Sequence, residues 1–258
     1  MSKDYLKKFS AVILAAGQGK RLNLRKSGPK AMLKLAGKPM VSYIVSSLRL
    51  LGFSKEQICL VAGFESEKIT AYFKNSVSYA LQDKPQGTAH AAFCGIKILP
   101  RDIEQVLVLN ADDSAFYSPA TLESFMKQHY EAKPVLSLLS VEPDYPEQYG
   151  RIIRSESGKI LIVEKENLTK EQRQIKETST GTFCFDRKWF EESLPQIKPI
   201  PGLKEYGLPS MLELANKEKA LTQVIKLANP REWFGVNTLQ ELREADQRMK
   251  LKVKRLAG

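Results

Sequence analysis

Short apolar runs rich in β-branched residues alternate along this chain with stretches whose apolar positions recur at helical spacing. "AVILAA" (11–16), "QICLVAG" (57–63), "VSYAL" (77–81) and "QVLVLNA" (105–111) have the length and composition of buried strands. Between them, 40–52 carries Val41, Ile44, Val45, Leu48 and Leu51 on one helical face and stops at Gly52. Two more helices are predicted over 87–99 and 118–130; the second has Ser118 placed as its cap and Pro119 at its first helical position. This alternation predicts an α/β fold with a Rossmann-like, mainly parallel sheet flanked by helices.

Beyond Lys133 the pattern shortens. "PVLSLLSVE", "RIIRSES" and "KILIVEK" read as strands joined by tight turns, with Ser157-Gly158 as a hairpin signal. The polar stretch 167–178 lacks an apolar face and is expected to be a mobile loop. "STGTFCFD" returns to strand texture and "GLPSMLELANKE" to helix. A closing helix over about 238–252 is expected to bury Leu239, Leu242 and Ala245. No repeat or low-complexity linker interrupts the chain, so a single domain over 1–258 is expected. It divides at about 10–133 and about 134–237, followed by a C-terminal helix and basic tail over 238–258, with the β-rich second half inserted so as to cover the sheet edge.

Composition narrows the class. With 43% hydrophobic and 27% charged residues the chain is ordinary for a soluble globular protein. No apolar run approaches the ~20 residues that span a bilayer, and the basic amino terminus lacks the apolar core of a secretory signal. Cys59, Cys94 and Cys184 are far apart, odd in number and without zinc-site spacing, so a reducing cytoplasm is expected. The net charge of +11 admits a polyanion footprint or a lysine-rich solvated surface. Its main cluster, Arg248 to Arg255, reads as a solvated helix end, and neither nucleic acid nor a membrane is expected as a partner.

The chemistry begins at "LAAGQGKRL" (14–22), directly after the first strand. A P-loop fails because Arg21 follows Gly19-Lys20 where Ser or Thr is required, and a dinucleotide fingerprint fails because Leu22 stands where a third glycine belongs. What remains is a glycine turn bearing Lys20 and Arg21, with Lys30 nearby in "GPK". Gly17 and Gly19 free the backbone N–H groups for close approach by a phosphate or a base. From the turn alone, a simple strand-to-helix connector stays open as the alternative.

Further motifs follow in order: "GPKAMLKLAGKPM" (28–40), "LQDKPQGTAHA" (81–91), "YGRI" (149–152), "IVEKEN" (162–167), "TSTGTF" (178–183) and "WFGVNTLQEL" (233–242). Together with the glycine turn they resemble the sugar-phosphate nucleotidyltransferases of the GT-A-like superfamily. The likeness is strongest to the uridylyltransferase domain of bacterial N-acetylglucosamine-1-phosphate uridylyltransferases and spans about residues 10 to 245. The resemblance implies Mg²⁺-dependent nucleotidyl transfer from a nucleoside triphosphate, UTP first, to a sugar-1-phosphate such as N-acetylglucosamine-1-phosphate or a related hexose phosphate, releasing pyrophosphate. It assigns the first half of the chain to the nucleotide and the second to the sugar. Ala15, Ala16, Gly17, Gly19, Lys20, Gln82, Gly87 and Thr88 would contact the nucleotide; Arg21 and Lys30 would be the catalytic cations. Asp112 and Asn237 would hold the metal, with Asp113 expected to point to the opposite face. Asn110, Gly150, Glu164, Ser179 and Thr180 would frame the sugar. His90 is expected to be a structural helix residue, because an anionic nucleophile needs no general base.

Departures from the family pattern bear on the acceptor. Lys20 stands where threonine is usual, "DDSAF" follows where "DxPL" is usual, and Ser179 replaces an asparagine. The last two leave the sugar open. The hexapeptide-repeat acetyltransferase that follows in the bifunctional relatives is not in this sequence, so acetyl transfer is not among the expected activities. A thymidylyltransferase would show "GGxGTRLxPxT", which is missing. A cytidylyltransferase acting on an alcohol phosphate and a catalytically silent regulatory domain are the alternatives. "YGRI" and "GVN" count against the first, and the retention of Arg21, Lys30, Asp112 and Asn237 counts against the second.

Overall fold

The structure, a computed structural model, describes residues 3–17, 28–63, 65–200 and 205–257. In chain order its main elements are β1 (Phe9–Leu14), β2 (Lys34–Leu35), β3 (Lys38–Pro39), α1 (Met40–Leu50), β4 (Ile58–Ala62), α2 (Ser66–Phe73), β5 (Ser78–Leu81), α3 (Thr88–Ile96), β6 (Gln105–Asn110), α4 (Pro119–Ala132), β7 (Leu136–Val141), β8 (Arg151–Arg154), β9 (Ile160–Val163), β10 (Thr178–Asp186), α5 (Arg187–Ser193), α6 (Leu208–Glu218), β11 (Thr222–Lys226) and α7 (Leu239–Ala257).

Strand sequences that are apolar on both faces dictate the layering. In β1, Ala11 and Ile13 pack into one core with Val41, Ile44 and Leu48 of α1 and Leu122 and Phe125 of α4. Val12, between them, packs into the other with Ala89 and Ala92 of α3, Phe190 of α5 and Met211 of α6. The sheet order is β11-β7-β10-β6-β1-β4-β5. Only β10 runs antiparallel, pairing with β6 on one side and β7 on the other. The mainly parallel sheet expected from the alternation is therefore present, and the Ser118 cap forms, its Oγ accepting from Thr121 N at 3.2 Å.

The second half departs from expectation in how it is attached. Rather than covering the edge, β7, β10 and β11 extend the same sheet, and only the antiparallel β8–β9 hairpin stands apart. The reason is visible in β7, which is buried along its whole length and so needs a partner on each side. The polar stretch after residue 167 is anchored instead of free: Leu168 is buried, and the guanidinium of Arg151, itself 2% exposed, donates from Nε to the Ile175 carbonyl. In α7 Ala245 and Met249 are buried and Leu242 is half-buried against the same cluster, whereas Leu239 is 47% exposed. α7 packs on Leu35, Met40, Phe116 and Val236, and its basic tail is largely spoken for. Arg248 lies over the Phe234 ring at 4.3 Å, Lys250 pairs with Asp246, and Lys252 donates to the Phe116 carbonyl at 2.7 Å. Among the described residues no helix is long and apolar enough to cross a membrane.

His129 of α4 ties a helix to the sheet. Its Nδ1 lies 2.8 Å from Ser137 Oγ and its Nε2 2.8 Å from Gln105 Oε1. Burial pushes its pKa down to about 4. Since the unfolded chain protonates first, near 6.5, the native state loses stability as pH falls from about 7 toward 4, by up to roughly 3 kcal/mol. Urea unfolding of the wild type and of His129→Gln across this range checks the expectation: the variant should lose most of the slope.

Candidate active site

The strand order reverses beside β1, with β4 reached first on one side and β6 later on the other. The crevice outside the carboxyl ends of such strands is where open α/β sheets take ligands. Ala15 and Ala16 continue β1 into this crevice, Ala15 N donating to the Val61 carbonyl at 2.9 Å. Gly17 is exposed, and among the described residues nothing would stand within 4 Å of a Cβ placed there. Gly19, Lys20 and Arg21 lie outside the described residues.

Gln82, Gly87 and Thr88 meet at the next loop. Gln82 is 8% exposed, its Nε2 3.1 Å from the Gly87 carbonyl and 3.1 Å from His90 Nδ1. Gly87 is required twice over: its φ is +99°, and a Cβ there would stand 2.6 Å from the backbone nitrogen of Tyr206. Tyr206 N donates to the Gln86 carbonyl at 2.7 Å, Ala89 N to the Tyr206 carbonyl at 2.8 Å, and Leu208 N to Thr88 Oγ1 at 2.9 Å. These bonds stitch the first half of the chain to the start of α6 and occupy the Thr88 hydroxyl as an acceptor.

A charged centre lies at the end of β6. The Lys30 ammonium donates to Asp112 Oδ2 and, at 3.0 Å, to Asn237 Oδ1. Both side-chain oxygens are hard donors converging on one cation. Local structure explains the convergence. Trp233 Nε1 donates to the Thr180 carbonyl at 3.1 Å, Val236 N to the Asp112 carbonyl at 3.1 Å, and Tyr149 packs edge-on to Trp233 at 4.9 Å. Asn237 N then donates to Glu241 Oε2 at 2.7 Å, inside the capping box that starts α7: Glu241 N donates to Thr238 Oγ1 and Thr238 N to Glu241 Oε2. Among the described residues no group of three or more His, Cys, Asp or Glu side chains could hold a metal. A cation on Asp112 and Asn237 would therefore take its other ligands from water and phosphate, which suits magnesium better than zinc.

Asp113 turns elsewhere. Its Oδ2 accepts from Asn110 Nδ2 at 3.3 Å, and its Oδ1 is buried with no hydrogen-bond partner among the described residues. Burial, with the Asp112 carboxylate beside it, raises its pKa well above the usual carboxylate range.

Between the two halves opens a cavity of about 450 Å³ lined by Thr88, Asn110, Gly150, Glu164, Ser179 and Gly181. Gly150 admits the end of β9, since a Cβ there would stand 2.6 Å from the Val163 carbonyl. Arg151 fixes the adjoining loop, its NH1 donating to the Pro146 carbonyl at 2.7 Å and the Tyr149 carbonyl at 2.5 Å. Thr180 is not in this cavity: its hydroxyl donates to the Leu139 carbonyl at 2.9 Å inside the sheet. The fold thus brings Lys30, Asp112 and Asn237 together at one point and Asn110, Gly150, Glu164 and Ser179 around one space. Trp233, Arg151 and Glu241, which position them, were not among the residues expected from the sequence. Of these, Glu241 alone had a legible signal, the T-x-x-E spacing after "GVN".

Glu241→Ala removes acceptors from the Asn237 and Thr238 N–H groups. It is expected to cost about 1 kcal/mol, a drop of ~2–4 °C in Tm, measurable by calorimetry.

The profile of the nucleotidyl transferase family matches residues 10–251. The bifunctional protein GlmU of Geotalea daltonii is 32% identical over 95% of this chain and 53% of its own length. That of Caldicellulosiruptor saccharolyticus is 34% identical over 96% of this chain and 53% of its own. The chain spans about half the length of these curated relatives. A solved Bacillus anthracis protein, assigned as a glucose-1-phosphate thymidylyltransferase and bound to a sucrose, superposes with a TM-score of 0.74. It is 20% identical and covers 93% of this chain and 94% of its own, a likeness of fold.

Proposed function

The chain belongs to the nucleotidyl transferase family, and we propose that it transfers a nucleotidyl group from UTP to a sugar-1-phosphate, N-acetylglucosamine-1-phosphate or a related hexose phosphate, in the presence of Mg²⁺. The observation that carries this reading is the convergence of Lys30, Asp112 and Asn237 beside a polar cavity walled by Asn110, Gly150, Glu164 and Ser179. The similarity to GlmU proteins over nearly the whole chain supports it, and three unpaired cysteines fit a reducing cytoplasm.

In this reading a sugar-1-phosphate oxygen attacks the α-phosphorus of the triphosphate. The bond from that phosphorus to the bridging oxygen breaks, and pyrophosphate leaves with the electron pair. No proton is transferred, because the nucleophile is already an anion. The difficulty is bringing two anions together, so positioning and charge neutralisation supply the catalysis. Asp112 and Asn237 would hold Mg²⁺, which when bound supplies Lewis-acid polarisation of phosphate oxygens. Lys30, with Arg21 from the glycine turn, neutralises the charge that develops on the phosphates. Ala15, Ala16, Gly17, Gly19, Lys20, Gln82, Gly87 and Thr88 bind the nucleotide. Glu164 and Asn110 orient the sugar, a carboxylate accepting from its hydroxyls and an amide reading either sense. Ser179, whose Oγ accepts from Gly181 N at 3.2 Å, keeps its own O–H to donate.

A panel of the four nucleoside triphosphates against several sugar-1-phosphates and alcohol phosphates, read by pyrophosphate release, tests the substrate assignment. Turnover with UTP and one hexose phosphate is expected. Turnover confined to CTP and an alcohol phosphate would replace this reading with a cytidylyltransferase.

A further inference from the structure

The Gln82 carboxamide is held in one sense. Gly87 O, 3.1 Å away, can only accept, so the amide nitrogen faces it. That same nitrogen lies 3.1 Å from His90 Nδ1, which must therefore be the unprotonated ring nitrogen and accept the second hydrogen. Both amide hydrogens are consumed inside the protein. Oε1 has no hydrogen bond among the described residues and is the group of the carboxamide left to meet a ligand. Gln82 stands just past the carboxyl end of β5, its N donating to the Ala62 carbonyl at 2.8 Å.

We infer that His90 is a positioning residue that fixes Gln82 with its oxygen toward the nucleotide and so selects a base presenting a ring imide N–H, uracil or thymine, against cytosine. This rests on the proposed nucleotide role of Gln82. Uracil offers N3–H to an oxygen, whereas the ring N3 of cytosine is an acceptor and meets that oxygen as a second acceptor. An amide free to turn would satisfy either base. His90 is the part of the clamp that can let go, since protonated Nδ1 becomes a donor facing the amide hydrogens.

The groups around the imidazole are Cys94 on its own helix, Lys97 just past the end of that helix, Cys59 of β4 beside Cys94, and Asp83 of the β5–α3 loop, which acts through Cys94. Tyr206, before α6, reaches this loop by its backbone. Both thiols are raised by burial and stay neutral, and burial with Lys97 lowers the His90 pKa below 6.5. The clamp therefore holds at neutral pH and opens in acid.

Calorimetric binding of UTP and CTP to the wild type, His90→Leu and His90→Asn, from pH 8 to pH 5, tests the inference without needing turnover. The UTP-to-CTP ratio cancels titration of the triphosphate. A wild-type preference of about tenfold or more is expected, one hydrogen bond's worth, falling as the pH drops. His90→Leu should reduce it to within about threefold and make it independent of pH, losing UTP affinity and keeping that for CTP. His90→Asn, which keeps a side-chain acceptor, should recover part of it. A preference that survives in His90→Leu, a flat wild-type profile, or no wild-type preference would overturn the inference. Selective UTP binding without turnover on any sugar phosphate would instead sink the proposed reaction and leave the role of His90 standing.

Discussion

Asp112→Ala is expected to slow pyrophosphate release on the order of 10³-fold without unfolding the protein, because it removes the carboxylate on which the charged centre is built. Its side chain is one third exposed and its structural bond is made by the backbone carbonyl, which accepts from Val236 N in either protein. The melting temperature should therefore move little. Asp112→Asn keeps the shape and separates charge from size: it should recover little of the lost rate. Steady-state rates beside a thermal melt decide the matter, and a loss under tenfold with intact folding would remove Asp112 from the reacting site.

Lys30→Met should lower kcat by about 10²–10³-fold, the usual cost of deleting one preorganised charge partner of a developing negative charge. Met keeps the apolar stem and deletes the ammonium that bridges Asp112 and Asn237. Because Lys30 is argued to act on charge that grows during the reaction, the loss should fall on kcat more than on KM. A tenfold rise in KM with kcat unchanged would make Lys30 a ground-state binding residue only.

What was readable in the sequence differs between fold and site for a physical reason. β1, β4 and β6 were legible because they are buried on both faces and bounded by turns, and α1 and α4 because one face carries the apolar positions. The attachment of the second half was not, since β7 and β10 look alike whether they cover a sheet or extend it; only the long-range pairing of Phe183 with Val108 and Leu138 decides. In α7 the period pointed to Leu239 as well as Leu242 and Ala245, but the capping box starts the helix at Leu239 and the packed face begins later, at Leu242. The motifs put Lys30, Asp112 and Asn237 at widely separated positions, and nothing local says that they meet. The meeting depends on Trp233 reaching the Thr180 carbonyl and Val236 reaching that of Asp112. Thr180 shows the opposite case: it stands in the motif beside Ser179, yet the strand alternation turns its hydroxyl into the sheet.

The most direct test of sugar-1-phosphate nucleotidyl transfer is ³¹P NMR of the protein with Mg²⁺, UTP and N-acetylglucosamine-1-phosphate. The two substrate spectra are expected to decay together into pyrophosphate and the paired resonances of a nucleotide diphosphate sugar, and excess pyrophosphate is expected to drive them back. Persistence of both substrates, across the hexose phosphates as well and at protein concentrations that visibly bind UTP, would contradict it.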